Sequence, residues 1–170
     1  GKSSFVMGAL APQCPEAIVI DQKPIHTSIR SHIASWCGAF DTIRSLFAEK
    51  NHVSASWFSA NAKGACPECN GLGVIQTDLA FMDTVTLPCE ACQGQRYNPQ
   101  ALKYRYQGKS IAEVLSLSIN DAGEFFLNEP QLRPIFRSLV EVGLGYLRLG
   151  ESLNHLSGGE CQRQIGRAHV

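Results

Sequence analysis

Four cysteines set in two short pairs constrain this chain more than any other feature. Cys66-Pro67-Glu68-Cys69 and Cys89-Glu90-Ala91-Cys92 are Cys-x-x-Cys knuckles with 19 residues between Cys69 and Cys89, a spacing expected of a four-thiolate zinc site. Two intervening residues let both sulfurs of a knuckle face one ion, and the spacer folds back to bring up the second pair. Four thiolates leave no open coordination position, so such a Zn2+ site is structural and supplies folding energy, not catalysis. Glycines follow the knuckles, Gly71 and Gly73 after the first and Gly94 after the second. They permit the positive φ of a tight turn and leave amides able to point at sulfur. Within the spacer, 74–82 and 85–87 read as two short strands around Asp83-Thr84, a hairpin carried on a metal clip.

Seven cysteines in a cytosolic chain argue for metal before disulfides. Cys14, Cys37 and Cys161 stand alone and read as structural or incidental. The chain is 170 residues, 44% apolar and 18% charged, the composition of an ordinary folded protein. It has neither a membrane-length apolar run nor a secretion signal, and a cytoplasmic location is expected. Net charge is zero, so no global field announces nucleic acid. Between Glu90 and Glu113, however, there is no acid, while Arg96, Lys103, Arg105 and Lys109 are basic. That cluster is either a solvated face or a phosphate-contacting one.

Gly1-Lys2-Ser3-Ser4, running into an apolar helical start, is the second half of a phosphate-binding loop. In a full loop the lysine reaches the β and γ phosphates and the next hydroxyl holds Mg2+. The tetrapeptide alone is common. Leu156-Ser157-Gly158-Gly159-Glu160 near the other end gives it weight, being the signature of ATP-binding cassettes: a serine and two glycines present amides to an anion. Residues 165–170 resemble one translated frame of a sequencing adapter, and both boundaries read as those of a truncated segment.

Ala17-Ile18-Val19-Ile20 reads as a buried strand ending at Asp21-Gln22. Phe40, Ile43, Leu46 and Phe47 recur at helical spacing and predict an amphipathic helix over 41–50. Leu102, Tyr104 and Tyr106 alternate with Lys103, Arg105 and Gln107, predicting a half-buried strand with a basic face. Ser110-Ile111-Ala112-Glu113 is a capping box that opens a helix. A second short helix is expected over 119–127, and a third from Pro130, with Leu132, Ile135, Phe136, Leu139 and Val140 on one face and Gly143 ending it.

A phosphate-loop remnant, a four-cysteine module and a cassette signature, in that order, resemble the C-terminal cassette of the UvrA family. Similar segments include 20–25, 40–44, 89–98, 108–115 and 142–146, so the resemblance covers about residues 1–164. It implies an α/β (mixed α+β) chain: a partial nucleotide-binding core at 1–30, an inserted zinc-containing signature domain at 31–150, and the signature motif at 151–164. It further implies that Gly1, Lys2, Ser3 and Ser4 bind ATP and Mg2+ and that Gln22 senses the γ phosphate. Ser157, Gly158, Gly159 and Glu160 would meet the nucleotide of the other cassette, in a homodimer. Arg96, Lys103, Arg105 and Lys109 would contact phosphates of double-stranded DNA. The expected activity is ATP hydrolysis coupled to damage recognition, with UvrB as a partner, and no catalytic residue lies in this chain. Departures include His32 and Ile33 in place of Asn-Pro, Glu151 in place of glutamine and Cys161 in place of alanine. They resemble the drug-resistance paralogues of the family. A zinc chaperone module like that of DnaJ is the alternative of a different class, but it would leave the two nucleotide motifs without a role.

Overall fold

In the computed structural model the described residues are 30–77 and 85–156, and they form a helical body with a small two-stranded sheet. The body starts with α1 (Ile33–Trp36), a single turn held by a reciprocal cap: His32 Nδ1 accepts from the Ser35 amide, and Ser35 Oγ accepts from the His32 amide. Gly38, at φ 78, turns the chain into α2 (Ala39–Asn51). The predicted stripe faces inward there: Ile43 and Phe47 are fully buried, with Phe40 and Leu46 packed at the margin of the core. A 3₁₀ turn, Ala55–Phe58, lays Phe58 against Phe47 with ring centroids 5.0 Å apart.

The predicted hairpin is present as β1 (Val74–Thr77) and β2 (Val85–Pro88), antiparallel with Ile75 opposite Leu87. The strand predicted over 102–107 does not form. A 3₁₀ turn occupies Ala101–Lys103, and Tyr106 pairs only with Lys109 in an isolated bridge. Tyr106 is nonetheless buried and Arg105 exposed, so the alternation marks an inside and an outside without a partner strand.

The capping box opens α3 (Ile111–Ser116), and α4 (Ile119–Phe125) follows. The third predicted helix is α5 (Arg133–Glu141), which begins with Pro134 in its first turn and not at Pro130. Its Phe136 and Leu139 are buried, whereas Val140 is 42% exposed. Gly143, at φ 77, follows its end. The segment 145–153 then threads back through the body. Leu149 accepts from the Ala34 amide and donates to Leu117; Gly150 donates to Leu115; Glu151 accepts from Ile33. This stitching carries Arg148 and Glu151 to the face where α1 begins. No helix among the described residues is long and apolar enough to cross a membrane.

Candidate metal centre

The two knuckles are conformational copies of each other. Counting from the first cysteine of each, Asn70 and Gln93 have φ of 49° and 50°, Gly71 and Gly94 have 74° and 78°, and Gly73 and Arg96 have 80° and 72°. Hydrogen bonds repeat in the same order: Gly71 to Cys66 and Gly94 to Cys89, then Leu72 to Cys69 and Gln95 to Cys92. The copies also grip each other, since the Cys66 amide donates to Arg96 O and the Cys89 amide to Gly73 O, both at 2.9 Å. The exchange is what a two-fold arrangement of turns around one centre requires.

That centre is the four sulfurs. Cys66, Cys69, Cys89 and Cys92 are buried, and their Sγ atoms lie within 4.8 Å of one another. A tetrahedral ion with metal–sulfur bonds of about 2.3 Å separates its ligands by about 3.8 Å, and Cys69 Sγ to Cys92 Sγ is 3.7 Å. The donor set therefore fits one soft divalent ion. Backbone amides back it up: Gly73 N donates to Cys69 Sγ at 3.2 Å, and the Arg96 amide bonds Cys92. Burial pushes the Cys69 thiol up, but the Gly73 amide and the neighbouring thiols outweigh it and bring its pKa down to about 7. At Cys92 burial dominates and the pKa rises to about 12.

The other predicted residues part company. Arg96 lines a cleft between the metal clip and the helical body, whereas Lys103, Arg105 and Lys109 do not. Arg105 pairs with Glu113, which leaves less of its charge for an outside anion. Lys109 closes the bridge with Tyr106, and Lys103 ends the 3₁₀ turn. Gly1, Lys2, Ser3, Ser4, Gln22, Ser157, Gly158, Gly159 and Glu160 lie outside the described residues, as do the strand expected at 17–20 and the hairpin tip. Arg30 and Arg148 drew no attention in the sequence, yet both line the cleft with Arg96. Of the three, only Arg96 carries a sequence signal, as a member of the acid-free basic run between Glu90 and Glu113.

No family model matches the chain. UvrABC system protein A of Listeria monocytogenes is 45% identical over 152 residues, which are 86% of this chain and 16% of that protein. Its counterpart in Halalkalibacterium halodurans is 44% identical over 169 residues, 96% of this chain and 18% of that protein. The chain thus spans less than a fifth of the length of these relatives. Among solved structures, the crystal structure of UvrA2 from Deinococcus radiodurans superposes with a TM-score of 0.83 at 39% identity, covering 99% of this chain and 23% of that one. Identity at this level over most of the chain, joined to a shared backbone course, places it: the chain belongs to the UvrA family.

Proposed function

We propose that this chain is part of a UvrA-type ATP-binding cassette ATPase that recognises damaged DNA in nucleotide excision repair, and that its four-cysteine centre holds structural Zn2+. The observation that carries the reading is the 45% identity to UvrABC system protein A, alongside a buried cluster of four thiols. Zinc suits an all-sulfur tetrahedron with no open position, and it would offset half of the thiolates' charge and lock the two knuckles together. The chain's own part is to aim the Gly73 and Arg96 amides at the Cys69 and Cys92 sulfurs, and to fix the hairpin's base through Cys89 and Gly73. The relatives favour neither the drug-resistance paralogue nor the DnaJ-like module.

In this reading residues 1–30 belong to a nucleotide-binding core, 31–150 to the inserted zinc domain and 151–164 to the signature. Gly1, Lys2, Ser3, Ser4 and Gln22 would hold ATP with Mg2+, and Ser157, Gly158, Gly159 and Glu160 would complete the site of a second copy. Double-stranded DNA would be read by its shape and deformability, with Arg96, Lys103, Arg105 and Lys109 as phosphate contacts and UvrB as a downstream partner.

The test is duplex binding by the complete protein, with and without Cys66→Ser. Wild type should prefer a duplex carrying a bulky lesion over the intact one and hydrolyse ATP. Cys66→Ser should bind substoichiometric zinc and lose the preference. Equal affinity of wild type for both duplexes would count against repair.

A further inference from the structure

The cleft between the metal clip and the helical body has a volume of about 560 Å3, and three separate segments bring arginines to it. Arg30 precedes α1, Arg96 closes the second knuckle, and Arg148 rides on the segment that threads back from α5. Glu151 is the one carboxylate among the described residues lining it, and its Oε2 already accepts from the Arg148 amide at 3.4 Å. Arg30 donates to Asn61 Oδ1 at 3.0 Å and to Asn70 O at 2.6 Å, which fixes that guanidinium at the cleft's edge. Among the described residues, neither Arg96 nor Arg148 forms an ion pair. Three like charges in one concavity repel each other and concentrate positive potential where an anion would relieve it.

Backbone geometry adds an independent sign. Arg96 sits at φ 72, at the station where the first knuckle uses Gly73 at φ 80. Glycine would adopt that conformation without strain, so the arginine side chain is kept there at a conformational cost. Its aliphatic stem packs on Gly73, where a Cβ would meet Arg96 Cγ at 3.0 Å. An exposed lysine or arginine elsewhere would solvate the clip equally well. A strained arginine aimed at a concavity with two others is the arrangement that planar guanidinium forks use for phosphate.

We infer that this cleft is a binding site for a phosphate oxyanion, recognised by the guanidiniums of Arg30, Arg96 and Arg148. The phosphate is either a diester of a DNA backbone or the polyphosphate of a free nucleotide. The DNA source rests on the repair function proposed above; the nucleotide source does not.

The experiment uses the zinc-loaded full chain with Arg96→Gly, Arg148→Gln and, as a control outside the cleft, Arg137→Gln on α5. Anisotropy of a labelled duplex over a salt series and calorimetric titration with inorganic pyrophosphate are the two readouts. Arg96→Gly should keep its zinc and unfold no earlier than wild type, because glycine relieves the strained φ. It should nevertheless weaken anion binding by roughly tenfold, with Arg148→Gln doing so by about fivefold, losses expected for single charge-assisted contacts. Each should flatten the logarithmic salt dependence of duplex binding by about 1. Weakening of both ligands assigns the DNA backbone, and weakening of pyrophosphate alone assigns a nucleotide. Wild-type binding of pyrophosphate without any duplex binding overturns the DNA source and assigns the cleft to a nucleotide, while the repair reading stands or falls on the complete protein's own duplex test. Duplex binding that neither cleft variant alters, with no pyrophosphate binding, overturns the cleft and leaves repair standing. Equal loss in Arg137→Gln overturns it too.

Discussion

His32 performs a helix-capping task from inside the core. It is 6% exposed, its ring meets Phe40 edge-on at 4.7 Å, and its Nδ1 caps α1. Burial, and then the charge of Arg96, hold its pKa down to about 4, against a hydrogen bond from the imidazole to the Leu149 backbone that pulls the other way. The folded ring is therefore neutral where the unfolded one, with its ordinary value of 6.5, takes a proton. Stability is fully present above pH 6.5 and falls as pH drops towards 4, by roughly 3 kcal/mol in all. His32→Asn, which restores a good cap without a titrating ring, should match wild type near neutrality within about 1 kcal/mol. Urea unfolding across that window should show the wild-type slope missing in the variant, and parallel curves would refute the assignment. Gly71 marks a different constraint. At φ 74, an added Cβ would lie 1.8 Å from the Ala60 carbonyl oxygen. Gly71→Ala should therefore cost about 3 kcal/mol and lower zinc retention, read by thermal unfolding and metal content. The need for glycine was legible from the knuckle motif, but the reason it is absolute lies in Ala60, which no local pattern points to.

Helices whose caps and stripes agree were legible because both signals are local. At α3, Glu113 Oε2 accepts from Ser110 Oγ at 2.6 Å and from the Ser110 amide at 2.7 Å, and these bonds, ahead of nearby Arg105, lower the Glu113 pKa. The carboxylate's contribution is present above its ordinary 4.5 and disappears as pH falls below that value. Ser110→Ala should destabilise the chain by about 1 kcal/mol at neutral pH, measured by denaturant unfolding. A loss near zero would mean that packing of Ile111 and Val114 holds this turn unaided. Two elements were misread, for related reasons. Alternation over 102–107 records which side chains reach the core, Tyr106 among them, yet a strand also needs a neighbour to pair with. Pro130 and Pro134 both suit a helix start. The choice falls on Pro134 because Leu132 and Arg133 spend their amides on Glu129 in a turn ahead of α5.

Among the described residues there are two separate cores. One is the aromatic and aliphatic interior running from Ile33 to Leu153, and the other is the cysteine cluster, against which only Leu72 packs among the described hydrophobic residues. The clip was visible in the sequence because cysteine spacing encodes it directly. The arginine cleft was not, because Arg30, Arg96 and Arg148 meet only after the clip docks and the segment 145–153 threads back. Docking itself is polar: Ala65 bridges Tyr97, while Asn98 Nδ2 donates to Lys63 O and Ala65 O. Tyr97, 1% exposed, is the clip's anchor in the larger core. Because the clip has so little apolar burial of its own, metal supplies most of its stability, whereas the helical body retains its packing without it. Chelation of the zinc-loaded chain should then act regionally. In hydrogen exchange the Cys66, Leu72 and Cys89 amides, which close the knuckles, should lose protection by more than about tenfold. The Phe136 and Leu149 amides, bonded to Leu132 and Leu117, should keep theirs. Uniform loss of protection at all five positions would show a single cooperative unit in which the metal holds the helices as well.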